Sequence, residues 1–370
     1  MGNRRFARAP LLVLFLSWPL AGQALGKVGV AQRSFVPNEP YIWRGAKTHA
    51  LVTTIWYPAA SGSGEQPQWV GPPDAPLFAV GSAAPAARPA PGKFPLIVLS
   101  HGTGGSALML GWLGTVLAAH GYVAAAVNHP GNNALEDYTA AGFSLWWERA
   151  KDLSEVIDHM LADPELGAHI DEQRIAAAGF SLGGYTMIAI AGGITDRTAY
   201  REFCESPRAD GICKAPPEFP NLLEYFSHLE ETAKSDPEVA DSLKHEKESH
   251  RDRRVRAVFA IAPALGPAFR PAGLGKIAIP VEIVAGKDDD NVPVASSAQY
   301  FAKYIHGSKL VLLEGGVRHY EFLGTCTPLG SQSLPLLCTG KPGVDRDSVH
   351  RQVAAMAVKF FDRQLGTARR

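Results

Sequence analysis

Residues 174–184 read RIAAAGFSLGG, and the strongest signal for the architecture lies in this stretch. Residues 174–178 predict a buried strand, and residues 182–191 predict a helix that begins almost directly after it. Between them lies a G-x-S-x-G pentapeptide, residues 179–183. Its glycines permit a sharp strand-to-helix turn because they remove Cβ clashes, and the serine hydroxyl is then exposed at the helix N-terminus. The stretch therefore predicts Ser181 as a nucleophile.

Strands and helices alternate on both sides of this turn, which predicts an α/β protein with a mostly parallel sheet and helices on both faces. The other strands predicted for the sheet are 96–99, 122–127, 255–262, 281–285 and 309–313, with further helices at 108–119, about 146–161 and 347–365. Two earlier strands, 28–35 and 50–57, are expected to pair with each other. Residues 61–95 are rich in Pro, Ala and Gly without a period of 2 or 3.6, which predicts a surface loop.

The run of strands and helices is interrupted at about residues 195–254, which include a highly charged stretch. An insertion after the nucleophile helix would lie above the carboxyl ends of the strands, where ligands bind in open α/β sheets. We expect a cap over the site, and a solvated surface excursion is the alternative. The 370 residues are 46% hydrophobic, so one catalytic domain over 25–370 with this insertion is expected.

The N-terminus has the three parts of an export signal. Arg4, Arg5 and Arg8 precede an apolar run over 11–20, and small residues follow at Gly22 and Ala24. We predict a signal peptide over 1–24 and a periplasmic or secreted protein; the Arg pair leaves the twin-arginine route open beside the general one. A membrane anchor is the competing interpretation, but the run is about half the roughly 20 residues that a span requires.

The four cysteines fall into two local pairs, Cys204 with Cys213 and Cys326 with Cys338. Two disulfides in an oxidising compartment are the expected arrangement. A metal site is the alternative, but neither pair has Cys-x-x-Cys spacing or a nearby histidine, so no metal is predicted. Because 36 Lys and Arg balance 36 Asp and Glu, no nucleic-acid partner is expected. The sequence leaves the oligomeric state open.

A serine nucleophile requires a histidine base that a carboxylate orients, and both are found further along the chain. Asp289 follows the strand 281–285 in a G-x-x-D-x-x-V-P pattern, with Asp288 and Asp290 as alternatives for the acid. His319 comes six residues after the strand 309–313, in a loop that can return over Ser181. The other late histidines fall on helices, in the charged insertion or before the strand. The predicted triad is Ser181, His319 and Asp289.

Catalysis also requires backbone N–H donors for the developing oxyanion. Leu182 follows the nucleophile directly, and Thr103 lies in the glycine-rich loop after the strand 96–99, so these two are the predicted donors. In the same loop, His101 is expected to brace the backbone by hydrogen bonding rather than to act as a base. His129 either lines the pocket or shapes its turn. The aromatic residues Trp112, Phe143, Trp146 and Trp147 have core spacing and are expected to pack, and the lining of an apolar acyl pocket is the alternative.

Together these motifs resemble a known family. The Ser100-His101-Gly102-x-Gly104-Gly105 loop, the Gly121-Tyr122-Val123 strand entry, the motif of residues 179–184 and His319 resemble α/β-hydrolases of the dienelactone hydrolase-like and platelet-activating-factor acetylhydrolase-like groups. The resemblance covers about residues 50–365 without the insertion. It implies hydrolysis of a small-molecule ester through an acyl-enzyme, without a metal or organic cofactor, with Ser181, His319, Thr103 and Leu182 in the family roles.

The chain departs from both groups at one position each. The acetylhydrolases take their acid one strand earlier, where this sequence has Ala262-Pro263-Ala264 and no carboxylate. This difference favours Asp289 and weakens a phospholipid assignment. Dienelactone hydrolases use a cysteine nucleophile where this chain has Ser181. Carboxylic esters remain the expected substrates; an acyltransferase or amidase with the same triad, or a binding protein that retains the fold, are the alternatives.

Overall fold

The computed structural model describes residues 26–37 and 40–366. The predicted signal peptide, residues 1–24, lies outside this range and stays a prediction. Among the helices of the described chain, none combines the length and the apolar character needed to cross a membrane.

Within the described residues one sheet of eleven strands forms the centre of the molecule. Its strands are β1 (Lys27–Phe35), β2 (Leu51–Ala59), β3 (Gln66–Val70), β4 (Phe78–Pro85), β5 (Phe94–Ser100), β6 (Val123–Val127), β7 (Ile170–Phe180), β8 (Val255–Ile261), β9 (Val281–Gly286), β10 (Lys309–Leu313) and β11 (Thr325–Cys326). Their order across the sheet is β10-β9-β8-β7-β5-β6-β2-β1-β4-β11, and β3 pairs with β4. The six strands β10, β9, β8, β7, β5 and β6, which are adjacent in the sheet, are parallel to one another. Strand β2 runs antiparallel to β6, and β1 runs antiparallel to β2.

The parallel strands are mostly apolar because both faces of the sheet are covered, although residues 171–174 near the start of β7 are polar and β9 carries Glu282. Every residue of β5 and β6 is buried, whereas the edge strand β10 is partly exposed. The helices are α1 (Gly111–Ala119), α2 (Ala140–Ser144), α3 (Glu148–Leu161), α4 (Leu182–Ile190), α5 (Arg197–Cys204), α6 (Leu222–Ser227), α7 (Leu229–Ser235), α8 (Pro237–Lys244), α9 (Pro271–Leu274), α10 (Ala298–Tyr304), α11 (Pro328–Ser333), α12 (Pro335–Cys338) and α13 (Arg346–Leu365).

The crossover helices lie on both faces of the sheet. The connection from β5 through α1 to β6 runs in one direction along the sheet, and those through α3 and α4 run in the other. Because such crossovers are right-handed, α1 covers one face and α3 and α4 cover the opposite face. The C-terminal helix α13 packs beside α1, and α3 packs beside α4. The predicted α/β sheet with helices on both faces is confirmed.

The prediction of a loop over residues 61–95 is wrong in part. Strands β3 and β4 form an antiparallel pair there, and β4 continues the sheet beside β1. Phe78 and Val80 of β4 are buried, and Val80 contacts Gly111 at the start of α1 closely enough that a Cβ there would lie 2.6 Å from its carbonyl oxygen. Ala, Pro and Gly have low strand propensity, so tertiary pairing outweighs the local sequence preference in this segment.

Residues 195–254 contain four short helices, α5 to α8. Asp196 and Asp236 cap α5 and α8, each through a side-chain oxygen that accepts backbone N–H groups. The insertion packs on α2 and α3 through a small apolar cluster that includes Trp147, Leu229 and Val239. The Trp147 indole also donates to the Ser242 hydroxyl at 2.9 Å. The insertion is thereby attached to the helices beside the nucleophile turn, and its role as a cap remains a prediction at this point.

Candidate active site

Ser181 lies at the turn between β7 and α4. Its backbone has φ 57° and ψ −116°, a left-handed conformation that costs about 1–3 kcal/mol for a residue other than glycine. The turn is fixed because the Ser181 N–H donates to the Ile261 carbonyl at 2.9 Å. A Cβ on Gly183 would lie 1.9 Å from the Ser100 carbonyl oxygen, and one on Gly179 would lie 2.3 Å from that of Gly183. The flanking glycines are therefore required by close backbone contacts.

Loops after β9 and β10 bring the predicted acid and base to this turn. His319 Nε2 lies 2.9 Å from Ser181 Oγ, and His319 Nδ1 lies 2.7 Å from Asp289 Oδ2. The second carboxylate oxygen of Asp289 accepts the Val292 N–H at 2.7 Å. All three residues are buried, with Ser181 8% and His319 2% exposed. The structure thus brings the three predicted residues into one hydrogen-bonded chain.

The neighbouring aspartates are arranged differently. Asp288 is exposed and pairs with Lys341 at 2.5 Å, which lowers the pKa of its carboxyl group. Asp290 is exposed, whereas Asp289 is 6% exposed and contacts the imidazole. The geometry therefore favours Asp289 among the three aspartates left open by the sequence.

The surroundings of His319 favour its charged form. Burial opposes the imidazolium, but the nearby carboxylates of Asp289, Glu218 and Glu321 outweigh burial and raise the pKa of His319. The ring also packs against Phe180, the second residue of the pentapeptide, with ring centroids 4.8 Å apart. This position suits a base that takes up a proton during the reaction and then releases it.

The two predicted oxyanion donors border the same space as Ser181. Leu182 is the first residue of α4, where a backbone N–H has no intrahelical partner. Thr103 lies in the loop after β5, and its N–H has no acceptor within the described part of the chain. Both residues line a cavity with Ser181. Their amides are therefore available to a ligand at Ser181.

Two cavities meet at Ser181. The smaller, of about 70 Å³, is lined by Leu182, Phe143, Trp146 and residues of the insertion. The larger, of about 620 Å³, also reaches His319 and has mostly apolar walls from β4, α12 and the loop after β5. Trp146 packs in the main core and Phe143 is buried against Phe219 of the insertion, as the sequence indicated, and both residues also border the smaller cavity.

The insertion contributes residues at the mouth of these cavities that sequence analysis missed. Glu218 lines both cavities and accepts a hydrogen bond from the Tyr320 hydroxyl, next to His319. Phe219 lies against Gly104, where a Cβ would come within 2.1 Å of its ring. No motif marks either residue, because their partners are distant in the sequence.

The two histidines near β5 and β6 are buried, and His101 also borders the larger cavity. His101 Nδ1 is 2.7 Å from the Gly102 carbonyl oxygen, and its Nε2 accepts the His129 N–H at 3.2 Å, so His101 braces the loop as expected. His129 is fully buried between Ser100 and Asp152 rather than in the lining of either cavity at Ser181. Burial first, then the positive charge of Arg149, lowers the pKa of both histidines, so both are neutral.

The four cysteines form two disulfides in the structure, Cys204 with Cys213 and Cys326 with Cys338. The first closes the start of the insertion, and the second closes the segment that carries Leu334 and Leu337 in the wall of the larger cavity. In the described ranges no group of three or more His, Cys, Asp or Glu side chains is placed to hold a metal ion.

Comparison with known proteins agrees with this architecture. Residues 80–143, which include the loop after β5, match the family described as platelet-activating factor acetylhydrolase, isoform II. Among solved structures, a ferulic acid esterase from Streptomyces cinnamoneus is similar, with a TM-score of 0.61 and 22% sequence identity over 93% of this chain and 91% of that chain. The chain therefore has the α/β-hydrolase fold, as the sequence predicted, and it resembles the acetylhydrolase family over the segment that carries its Thr103 loop.

Proposed function

We propose that this chain is a serine hydrolase that cleaves carboxylic esters through an acyl-enzyme intermediate. The observation that carries the proposal is the hydrogen-bonded chain from Ser181 through His319 to Asp289, which opens into two cavities. The resemblance to an acetylhydrolase family and to an esterase supports the same reaction class.

In the proposed reaction, His319 Nε2 takes the proton of Ser181 as Oγ attacks the ester carbonyl carbon. Asp289 keeps the Nδ1–H of His319 in place and stabilises the imidazolium. The Leu182 and Thr103 N–H groups donate hydrogen bonds to the carbonyl oxygen and stabilise the negative charge that develops on it. His319 then protonates the departing alcohol, and water, activated by the same imidazole, attacks the acyl-enzyme and releases the acid.

The two cavities suggest which part of the ester lies where. His319 must protonate the leaving alcohol, and it borders the larger cavity, so we assign the alcohol to the apolar 620 Å³ space. The acyl group then extends past Leu182 into the 70 Å³ space, which has room for a short chain. We therefore expect small acyl groups and apolar alcohols to be favoured.

We also propose that residues 195–254 act as a cap on a single catalytic domain and that the protein is exported. Glu218 and Phe219 of the insertion border the site, which supports the cap. Two disulfides fit an oxidising compartment, and that supports export to the periplasm or beyond.

The test is hydrolysis of p-nitrophenyl esters, from acetate to dodecanoate, by the wild type and by Ser181→Ala. We expect Ser181→Ala to lower kcat by about 10⁶-fold and acetate to be cleaved faster than long acyl chains. Ser348→Ala, on the exposed surface of α13, is the matched control and keeps wild-type rates.

Equal hydrolysis by the wild type and Ser181→Ala would contradict the assignment of the nucleophile. A folded wild type that cleaves no ester in the series would contradict the substrate class. Analysis of the products with added alcohols separates hydrolysis from acyl transfer. A rate optimum at long acyl chains would reverse the assignment of the two cavities.

A further inference from the structure

A second group of polar side chains lies beneath the loop of residues 101–105 and plays no part in the reaction described above. Arg149 and Asp152 project from α3 and are 1% and 0% exposed, and Arg44 beside them is 2% exposed. Removing an ion from water is costly in free energy, so three buried ions call for a physical account. Asp152 pairs with Arg44 at 2.8 Å and also accepts the Tyr41 hydroxyl, whereas Arg149 extends the other way, toward the loop.

Arg149 contacts the loop at its beginning. Its guanidinium donates to the His101 carbonyl oxygen and lies 3.3 Å from Ser100 Oγ. A third contact, at 3.4 Å, reaches Asn132 Oδ1, and this same oxygen accepts the Gly104 N–H at 2.8 Å. Arg149 and Asn132 therefore hold the backbone on both sides of Thr103.

Hydrogen bonds satisfy most of the backbone polar groups around Thr103 and thereby restrain the loop. The carbonyls of His101 and Gly102 both accept hydrogen bonds, and the Gly104 carbonyl oxygen accepts one from the Tyr138 hydroxyl at 2.9 Å. The Gly105 N–H donates to the Gly102 carbonyl at 3.2 Å. The Thr103 N–H, within the described chain, has no such partner and borders both cavities.

A buried chain of hydrogen bonds connects Arg149 back to Asp152. Ser100 Oγ lies 2.8 Å from His129 Nε2, and His129 Nδ1 lies 2.6 Å from Asp152 Oδ2. Because His129 is neutral, its Nδ1–H donates to Asp152 and its Nε2 accepts the Ser100 hydroxyl proton. Ser100 Oγ then accepts a hydrogen bond from the Arg149 guanidinium. Each polar group named here has a partner that fixes its direction.

We propose that Arg149 and Asn132 are positioning residues, which hold the loop of residues 101–105 in the conformation that leaves the Thr103 N–H free for the oxyanion. The proposal rests on the ester hydrolysis proposed above. It gives the buried ions a role in catalysis through the loop rather than through contact with substrate.

The experiment compares Asn132→Ala, Asn132→Asp and Arg149→Lys with the wild type. The alanine variant removes the acceptor of the Gly104 N–H, the aspartate variant keeps an oxygen there, and the lysine variant keeps the charge but loses the planar fork of donors. Tyr41→Phe is the matched control, because it removes one hydrogen bond from the same buried Asp152 at the end away from the loop. Thermal unfolding is measured for every variant.

We expect Asn132→Ala and Arg149→Lys to lower kcat on the order of 10²-fold with little change in KM, because misplaced groups lose transition-state stabilisation. Asn132→Asp recovers part of kcat, and Tyr41→Phe keeps it. Amide hydrogen exchange at Gly105, whose N–H donates to the Gly102 carbonyl and not to Asn132, becomes faster in Asn132→Ala and Arg149→Lys. These results would separate positioning from general stability, since a loss of stability alone would not change kcat of the folded enzyme selectively.

The proposal is overturned if kcat in Asn132→Ala and Arg149→Lys equals that of Tyr41→Phe, or if Gly105 exchange is unchanged in both variants. It is also overturned if the loss appears in KM alone. If the folded wild type cleaves no ester, the proposed function fails, and Gly105 exchange still decides whether the two residues hold the loop.

Discussion

The described part of the molecule contains two hydrogen-bonded chains of side chains, each made of a serine, a histidine and an aspartate. We call them the Ser181 chain and the Ser100 chain, and their hydrogen bonds have nearly the same lengths. In one, Ser181, His319 and Asp289 are joined at 2.9 and 2.7 Å. In the other, Ser100, His129 and Asp152 are joined at 2.8 and 2.6 Å. Ser181 directly follows the parallel strand β7, and Ser100 is the last residue of the parallel strand β5. Hydrogen-bond geometry therefore does not distinguish the proposed nucleophile, Ser181, from Ser100.

Their surroundings differ in access and in charge. Ser100 and His129 are 0% exposed, whereas Ser181 borders both cavities at a strained turn. Burial and the cations Arg149 and Arg44 lower the pKa of His129, whereas carboxylates overcome burial and raise the pKa of His319. The His129 imidazole is kept neutral, whereas the His319 imidazole can accept a proton. A triad thus needs surroundings that stabilise the imidazolium and a space for substrate.

The largest effect that separates the two chains concerns the serines. Ser181→Ala is expected to lower kcat by about 10⁶-fold, and Ser100→Ala by at most about 10²-fold, because Ser100 acts through the loop that it helps to hold. A fluorophosphonate probe should modify Ser181 in the wild type and in Ser100→Ala, with one adduct by mass spectrometry of peptides. An adduct on Ser100 in the folded protein would erase the distinction.

The acid of the Ser181 chain gives the next largest effect. Asp289→Asn keeps the shape of the side chain but lets His319 adopt the wrong tautomer, and kcat is expected to fall by about 10⁴-fold, or about 5.4 kcal/mol of transition-state stabilisation. Steady-state kinetics measures the loss. Asp288→Asn and Asp290→Asn are the matched controls and should retain activity. A comparable loss in either control would move the acid to that position.

The acid of the Ser100 chain, Asp152, is expected to act on stability instead. Asp152→Asn removes the negative partner of Arg44 and leaves that cation buried, so the free energy of unfolding should fall by about 3–5 kcal/mol. Urea denaturation measures this change, with Asp289→Asn as the comparison. If Asp289→Asn lost as much stability as Asp152→Asn, the assignment of one acid to catalysis and the other to structure would be contradicted.

Much of the fold could be predicted because the buried parallel strands are largely apolar in sequence. Strands β5, β6 and β9 are buried along their full length, and their runs are visible in the sequence. Strand β4 could not be predicted, because its alanines, glycine and proline favour a loop until β1 and β3 pair with it. Local sequence therefore predicts strands that are themselves apolar, whereas a strand such as β4 is recognised only from its pairing in the structure.

The candidate site divides in the same way. Ser181, Asp289 and His319 each follow a recognisable strand, so their order and loops predicted the group that the structure brings together. Arg149 and Glu218 carry no such signal. Arg149 contacts His101 from 48 residues away, and Glu218 contacts Tyr320 from 102 residues away. Such contacts depend on how helices and the insertion pack, which one sequence does not specify.

The smallest expected effect concerns the charge around His319. The base must be neutral to take the serine proton, so kcat/KM rises as the pH rises through the pKa of His319 in the free enzyme. Glu218 helps to raise that pKa, and Glu218→Gln removes its charge while keeping an acceptor for the Tyr320 hydroxyl. The pKa of His319 should fall, and the acidic limb of the kcat/KM profile should move to lower pH.

Glu224→Gln, on the exposed surface of α6, removes the same charge from the same insertion and should leave the limb in place. The shift in Glu218→Gln is limited because Glu218 is partly exposed, and solvent screens its charge. A limb that moves to higher pH would mean that Glu218 acts on His319 by something other than its charge. An unchanged limb would assign the raised pKa of His319 to Asp289 and Glu321. The charge environment of the proposed base would then come from the catalytic domain without the insertion.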